Sequence, residues 1–176
     1  VRYDAMNPQP KVGDLVTVYA IIGFYDQIEI KNAWMTEYYP AVDGSVGLDY
    51  ALNEDGASYS VIGRGKCSDA ELIIPAEYKG LPVTRIGVDA FWNDDIVTSA
   101  FIPDTVTVME SYAFTGCGNL VSIRLSNSLT SIIRRAFQGC ANLASIEIPA
   151  SVKVIETEAF RYCDKIDVII IHNTLE

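Results

Sequence analysis

An alanine–phenylalanine pair recurs at a constant spacing through the second half of the chain. The phenylalanines follow one another every 23 residues, at Phe91, Phe114, Phe137 and Phe160. A cysteine and several aliphatic residues recur at the same period, which gives the pattern Val-x-x-Ile-x-x-x-Ala-Phe-x-x-Cys-x-x-Leu-x-x-Ile-x-Ile-Pro across residues 83–174. A fixed apolar set at a fixed period predicts a solenoid, in which each unit forms one coil and buries its apolar side chains against the neighbouring coils.

Each unit predicts one short strand and one short helical turn. The segments Ser122–Leu125 and Ser145–Ile148 alternate polar and apolar residues, which is typical of a half-buried strand. We expect the strands of successive coils to stack in parallel about 4.8 Å apart. Gly116 and Gly139 stand after the Ala-Phe pairs, where a positive φ would end a helix, so we expect brief helical turns on the outer side of the stack.

The repeated motif resembles the bacterial leucine-rich repeats of the BspA-like (Treponema pallidum-type) family. The residues that carry the resemblance are Ala113-Phe114-x-x-Cys117-x-x-Leu120-x-x-Ile123-x-Leu125 and Ala136-Phe137-x-x-Cys140-x-x-Leu143-x-x-Ile146-x-Ile148-Pro149. The segments 59–63 and 73–86 are similar to the lead-in of that family, so the resemblance covers roughly residues 50–174. The chain departs from the pattern where Asp94 replaces a cysteine, Ala100 replaces an isoleucine, and Ile170 occupies an outward position that is usually polar.

The resemblance implies a fold, a location and a function. The expected fold is an α/β solenoid: a right-handed stack of leucine-rich repeats with a parallel β-sheet on its concave face and short helical turns on its convex face. The expected protein is a cell-surface or secreted bacterial protein that serves in adhesion or protein recognition. The resemblance also implies that it has no catalytic activity, needs no cofactor and binds a protein partner, such as a host extracellular or surface protein.

The segment before the repeats has a different composition. Val12–Gly23 is rich in β-branched residues and predicts a strand, and Gln27–Lys31 predicts a second one. This pair weakly resembles the strands of OB-like β-barrels, of which a segment of 48 residues would hold only a part. Ala41–Gly47, with two glycines and a serine, is the predicted linker.

The sequence therefore divides into three parts. A β-rich segment occupies residues 1–48, a lead-in at 49–82 caps the solenoid, and about four repeats of 23 residues fill 83–176.

The net charge and the apolar runs of the chain indicate which kinds of partner it does not bind. The chain has 13 basic and 23 acidic residues, which gives a formal charge of −10. Such a chain repels the phosphates of nucleic acids and the anionic surface of membranes, so we expect neither as a partner. The apolar run Val168–Ile171 is far shorter than the ~18 residues that a spanning helix needs, so we expect no membrane insertion.

The chain offers few groups for catalysis. Its single histidine, His172, stands at the repeat position that a proline fills in other units, which favours a rim residue over a general base. Gly63–Lys66 invites comparison with a phosphate-binding loop, but Ser60 and Cys67 replace the residues that the motif needs at its ends. An enzyme is the least favoured class, and its site would need acids of the N-terminal segment: Asp14, Asp26, Glu29 and Glu37.

The cysteines favour a structural role over metal binding. Cys117, Cys140 and Cys163 recur at the repeat period and predict a column of buried free thiols, since stacked side chains run parallel and do not converge on a metal ion. Cys67 lies off this register. Three acids around the first Ala-Phe pair, Asp89, Asp94 and Asp95, are better explained as a solvated face than as a calcium loop, so we expect no metal.

Outward-facing residues of the stacked strands form two columns, which are the predicted protein-binding surface. The first column contains Ile73, Phe101, Arg124, Glu147 and Ile170, and the second contains Ser99, Ser122, Ser145 and Val168. Large side chains such as Phe and Arg are enriched at interfaces. The exposed Phe101 has two explanations of equal weight: it binds a partner, or it is covered by the N-terminal segment or left as a scattered apolar residue.

The last strand raises a separate question. Ile169–Ile171 is an apolar edge, so either more repeats follow or the edge pairs with a second copy as a homodimer. For the chain as a whole, the favoured function is an adhesion or protein-recognition module, and the alternative is a structural spacer or scaffold domain within a larger surface protein.

Overall fold

The computed structural model describes residues 44–172 of the chain. The predicted strands at 12–23 and 27–31, and with them the OB-like resemblance, lie outside the described residues. Within 44–172 the chain forms short strands only: β1 (Asp49–Leu52), β2 (Tyr59–Gly63), β3 (Glu71–Ile73), β4 (Glu77–Tyr78), β5 (Leu81–Ile86), β6 (Ser99–Phe101), β7 (Val108–Met109), β8 (Ser122–Arg124), β9 (Ser131–Ile132), β10 (Ser145–Ile148), β11 (Val154–Ile155) and β12 (Val168–Ile171).

The strands of successive coils pair in parallel, as the repeat predicts. One sheet has the order β3-β6-β8, and a second consists of β10 and β12. The repeat register is kept, because Ser99 is opposite Ser122 and Ser145 is opposite Val168. Residues one period apart therefore lie side by side, in a β-solenoid of about five turns.

A lead-in of antiparallel and parallel strands precedes the repeats. β1 and β2 form an antiparallel pair, β2 runs parallel to β5, and β5 runs parallel to β7. Ser45, in the predicted linker, lies against β3: its backbone N–H donates to Ile73 O over 2.8 Å and its hydroxyl accepts from Ile73 N over 3.0 Å. Leu48 is buried in the same hydrophobic core as the repeats.

Stacked phenylalanines run along the core. The ring centroids of Phe91 and Phe114 are 5.0 Å apart, those of Phe114 and Phe137 are 5.8 Å apart, and those of Phe137 and Phe160 are 5.5 Å apart, with nearly parallel planes. The first three rings are fully buried. Burial of a large aromatic side chain contributes about 2–3 kcal/mol, so this column is a main source of stability.

The prediction of helical turns on the convex side is wrong. Residues 44–172 contain no helix, and each Ala-Phe segment is a chain of tight turns. Successive backbone amides of the segment donate in turn to a carbonyl of the same segment and to a carbonyl of the next coil. Trp92 N donates to Asp89 O within the segment, whereas Phe91 N donates to Ala113 O of the next coil over 2.8 Å. A helix needs consecutive hydrogen bonds inside one segment, and here every second one joins two coils.

Positive φ angles make this alternation possible. They form two columns at the repeat period, one of Asp89, Tyr112, Arg135 and Glu158 and one of Asn93, Gly116, Gly139 and Tyr162. The positive φ predicted at the two glycines is confirmed, at 75° and 76°. The non-glycine residues adopt the left-handed region at a cost of roughly 1–2 kcal/mol each, which the packed coils around them must offset.

Candidate protein-recognition surface

The outward side chains of β6, β8, β10 and β12 form what we call the strand face. Their order follows the strand pairing: Phe101 is opposite Arg124, and Glu147 is opposite Ile170. Ser99 and Ser122 pair in the neighbouring column, as do Ser145 and Val168. The structure therefore brings these predicted residues onto two columns in the predicted order.

Ile73 does not join the exposed surface. It is opposite Phe101 in the register, as expected, but it is only 6% exposed. Ser45 lies along the edge of β3 and bonds both backbone groups of Ile73. The prediction that Ile73 extends the first column as a contact residue is wrong, because its side chain is buried and cannot meet a partner.

Phe101 and Arg124 form one unit. The guanidinium carbon of Arg124 lies 4.7 Å from the centre of the Phe101 ring, within range of a cation–π interaction. The same guanidinium donates to Ile102 O over 3.3 Å and lies 3.5 Å from a carboxylate oxygen of Asp104. Both residues are half-buried and make interactions beyond these. The ring is thus partly covered by its neighbour in the column.

The other end of the column is more open. Glu147 is exposed and pairs with His172 through its carboxylate, and Ile170 is 47% exposed. Ser122, Ser145 and Val168 are also exposed, whereas Ser99 is half-buried. Along the stack the face therefore changes from an aromatic and cationic pair to an acidic residue and then to aliphatic residues.

The strand face carries few groups that could bind a metal ion. Across the part of the chain that the structure describes, no three His, Cys, Asp or Glu residues are grouped so that they could hold a metal ion. His172, the one histidine, is bonded to Glu147 at the rim. What the face offers is a set of fixed side chains of mixed character, which is suited to contact with another macromolecule.

The cysteine column lies inside the stack. Cys117 and Cys140 are fully buried and Cys163 is half-buried. Each thiol donates to a carbonyl of the preceding coil; for Cys117 the acceptor is Phe91 O at 3.0 Å, and for Cys163 it is Phe137 O at 3.0 Å.

Two structural features were missed by the sequence reasoning. Asn119 Nδ2 donates to Asp95 O over 2.6 Å, and Asn142 Nδ2 donates to Gly118 O over 2.6 Å, so these asparagines join successive coils. Their recurrence two residues after Cys117 and Cys140 was a signal that could have found them. Arg64 pairs with the buried carboxylate of Asp94, and no period signals that contact.

A cluster of tyrosines packs in the lead-in. Tyr50 and Tyr78 stack with ring centroids 3.8 Å apart, and Tyr59 meets Tyr78 edge-on at 5.0 Å. Burial raises the pKa of Tyr50 to about 12, with a smaller contribution from Tyr78. The Tyr50 hydroxyl is therefore neutral near pH 7, and the cluster is a packing element.

Comparison with solved structures finds bacterial leucine-rich repeat proteins. A leucine-rich repeat protein from Bacteroides capillosus is 28% identical with a TM-score of 0.63, over 72% of this chain and 94% of that chain. The T. pallidum leucine-rich repeat protein is 25% identical with a TM-score of 0.61, over 70% and 68%. A leucine-rich cell-surface protein from Faecalibacterium prausnitzii is 27% identical with a TM-score of 0.59, over 79% and 41%. No match was found among curated proteins.

The structural relatives are described as leucine-rich repeat proteins, and repeat solenoids of this kind generally mediate protein–protein interactions. Residues 44–172 include no helix with the length and apolarity to cross a membrane. The family model for the BspA-type leucine-rich repeat region matches residues 84–176 in six copies, which is more than half of the chain. With the stacked strands, the buried Ala-Phe pairs and the preserved register, this match shows that the chain belongs to the BspA-type leucine-rich repeat family.

Proposed function

We propose that the chain is a non-catalytic module of a cell-surface or secreted bacterial protein and that it recognises a protein partner through the strand face. In this proposal the strand face is the concave side of a right-handed stack. The partner is a host extracellular or surface protein. Residues 49–82 cap the repeats, and the β-rich segment predicted at residues 1–48 is a separate unit only as far as the linker, because Ser45 and Leu48 pack with the repeats.

One observation carries the proposal. Five residues in two neighbouring columns, Ser122, Ser145, Glu147, Val168 and Ile170, are exposed on strands whose backbones are paired with their neighbours. Side chains on a rigid, paired backbone lose little conformational freedom when a partner docks. A polar and acidic centre next to aliphatic residues also matches the mixed character of protein interfaces.

The relatives support the location. The protein from Faecalibacterium prausnitzii is described as a leucine-rich cell-surface protein, and this chain spans 41% of its length. Similarity at 27% identity favours a shared setting at the cell surface.

Capture of a partner tests the proposal. Human serum and extracellular-matrix proteins are passed over the immobilised chain and over the variant Glu147→Lys/Ile170→Glu, which alters the open end of the first column. The control variant Thr130→Lys/Val154→Glu introduces the same residue types at exposed positions outside the strand face, and Val154 is 51% exposed against 47% for Ile170. All three proteins are first compared by circular dichroism and thermal unfolding.

We expect the wild type and the control variant to capture the same protein and the strand-face variant to lose it. Equal capture by all three would remove the strand face from the account. No capture by any of them favours the alternative of a structural spacer within a larger surface protein.

A further inference from the structure

The turn segments around the Ala-Phe pairs form a second continuous surface of the stack. The alanines are buried, as are the first three phenylalanines, and the residues beside each pair are exposed or half-buried. Hydrogen bonds between coils hold the segments side by side, from Asn93 N to Thr115 O and from Tyr112 N to Arg134 O. We call the outward side chains of these segments the turn face, which is formed by residues 88–93, 111–116, 134–139 and 157–162.

The turn face carries exposed aromatic and cationic side chains. Trp92 is 59% exposed and Tyr112 is half-buried. The guanidinium carbon of Arg135 lies 5.9 Å from the centre of the Tyr112 ring, and the neighbouring Arg134 is exposed. Tryptophan, tyrosine and arginine are the residue types most enriched at the energetic centres of protein interfaces. The composition of the turn face therefore indicates contact with another protein surface.

Two unpaired charges of opposite sign lie two coils apart on the turn face. Within residues 44–172, the carboxylate of Asp89 makes no hydrogen bond or ion pair, and neither does the guanidinium of Arg134. Arg135 is paired with Glu158. Glu156 accepts only from the backbone N–H of Arg134 and leaves its guanidinium without a carboxylate. Because coils are about 4.8 Å apart, the two unpaired charges are separated by about 10 Å along the stack.

The turn face is complementary to itself when a second copy is turned end to end. A two-fold axis across the second coil, at Tyr112, reverses the direction of the stack and places each column of residues opposite the same column of the other copy. Asp89, Tyr112 and Arg135 occupy one such column, with positive φ angles at the repeat period. The first coil of one copy then faces the third coil of the other, so Asp89 faces Arg135 and lies within reach of Arg134. The contact between Asp89 and Arg134 forms twice in each pair.

We propose that the turn face binds a second copy of this chain in a two-fold, antiparallel pair. Charge complementarity selects this occupant. A uniformly acidic partner is repelled by Asp89 and a uniformly basic one by Arg134, whereas a second copy presents both charges in the reverse order. The exposed Trp92 packs against Gln138 of the second copy. The contact does not use the strand face, so it is independent of the proposed function. The turn face is only about 20 Å long, so the pair is weak and dissociates readily.

Mixing two charge-reversal variants tests this inference. Asp89→Arg and Arg134→Asp each place like charges at both contacts of the pair, so neither variant should pair with itself. In a mixture of the two variants, both contacts join an arginine to an aspartate again. An arginine is compatible with the positive φ of Asp89, because Arg135 adopts it at the equivalent position. Lys153→Asp is the control for net charge, because it makes the same change as Arg134→Asp at an exposed position outside the turn face.

Sedimentation velocity of the full chain is measured at about 0.15 M salt, where repulsion between two net negative copies is screened beyond about 8 Å. Circular dichroism first shows that every variant is folded. We expect concentration-dependent dimers of the wild type and of Lys153→Asp, and a dimer dissociation constant higher by about tenfold or more for each turn-face variant alone. The mixture of the two turn-face variants should form dimers again.

Three results would overturn the inference. The first is a wild type that stays monomeric up to about 1 mM, the weak limit of specific association. The second is a dimer of Arg134→Asp as stable as that of the wild type, which would place the contact elsewhere on the chain. The third is a mixture of the two variants that associates no better than either variant alone.

Discussion

Arg64 reaches from the lead-in to the first repeat and pairs with Asp94, which stands at the position that cysteine fills in the later units. The side chains of the two residues are 15% and 4% exposed, so the ion pair is largely buried. The other carboxylate oxygen of Asp94 accepts from Ile96 N over 2.9 Å and Val97 N over 3.1 Å. The first coil, which lacks a preceding repeat, is thereby joined to the lead-in by polar contacts in place of a buried thiol.

Replacing Asp94 should destabilise the protein strongly. Asp94→Ala leaves the guanidinium of Arg64 without its carboxylate and two backbone donors without an acceptor, so we expect a loss of about 3–5 kcal/mol in the free energy of unfolding. The double variant Arg64→Leu/Asp94→Cys removes both charges and restores the repeat residue, and its cost should be smaller. Urea denaturation measures both, and equal costs would show that the ion pair is not what Asp94 contributes.

Two glycines at equivalent positions should differ in their tolerance of alanine. Gly116 and Gly139 share a positive φ, but a Cβ atom at Gly116 would lie 1.9 Å from the side-chain oxygen of Asn93, whereas one at Gly139 would meet Gly116 Cα at 3.5 Å. Gly139→Ala should cost about 1–2 kcal/mol from the backbone alone, and Gly116→Ala should cost slightly more, because the exposed Asn93 side chain must also rotate away.

We attribute the expected difference between Gly116→Ala and Gly139→Ala to the contact with Asn93, and a double variant tests this. In Gly116→Ala/Asn93→Gly the obstructing side chain is absent, so the cost of the alanine should fall to that of Gly139→Ala. If Gly116→Ala remains more costly in the Asn93→Gly background, Asn93 is not the cause. Urea denaturation of the four variants gives the comparison.

Replacing a phenylalanine of the stacked column should destabilise the protein by an amount that depends on its place in the column. Phe137 is packed between two rings and fully buried, so Phe137→Ala should cost about 3–5 kcal/mol. Among residues 44–172, Phe160 stacks on the ring of Phe137 alone, and it is half-buried, so Phe160→Ala should cost markedly less. Thermal unfolding ranks the two variants, and equal losses would contradict the stacked-coil account of the core.

Glu158, one of the residues with positive φ in the Ala-Phe turns, should make the stability of the fold depend on pH. Hydrogen bonding from Arg135, and to a smaller extent from Arg161, lowers the pKa of Glu158 below its ordinary value of 4.5. A lowered pKa in the folded state means that the ionised form stabilises the fold. The contribution is therefore fully present above the ordinary pKa and is lost as the pH falls through the lowered one.

Glu158→Gln tests this dependence, because the amide cannot ionise. The variant should have a lower Tm than the wild type at pH 7, and the difference should shrink as the pH falls below 4.5. High salt should also shrink it, since the group is on the surface. A difference in Tm that is independent of pH would mean that the charge of Glu158 is not involved.

Much of the fold could be predicted because the same residue pattern occurs in several units, so equivalent positions can be aligned. The period alone aligns Phe114 with Phe137 and Ser99 with Ser122, and both pairs lie side by side in the folded chain. The helical turns could not be excluded in this way, since the alternation of hydrogen bonds within and between coils depends on φ. The positions that adopt positive φ include Tyr112 and Arg135, whose residue types give no such signal.

The order of residues along the strand face could be predicted, but the exposure of their side chains could not. Strand register follows from the period, so the column from Phe101 to Ile170 could be foreseen. Exposure depends on segments outside the repeat and on contacts between neighbours: Ser45 bonds along β3 beside Ile73, and Arg124 covers part of the Phe101 ring. No periodic pattern encodes those contacts.

The affinity of the captured partner for the strand-face variant shows whether the strand face binds that partner. Calorimetry compares the wild type, Glu147→Lys/Ile170→Glu and the control variant Thr130→Lys/Val154→Glu. Recognition through the strand face predicts a loss of at least about tenfold, or about 1.4 kcal/mol, for the first variant and none for the control. Unchanged affinity in the strand-face variant, with its fold intact, would contradict the account.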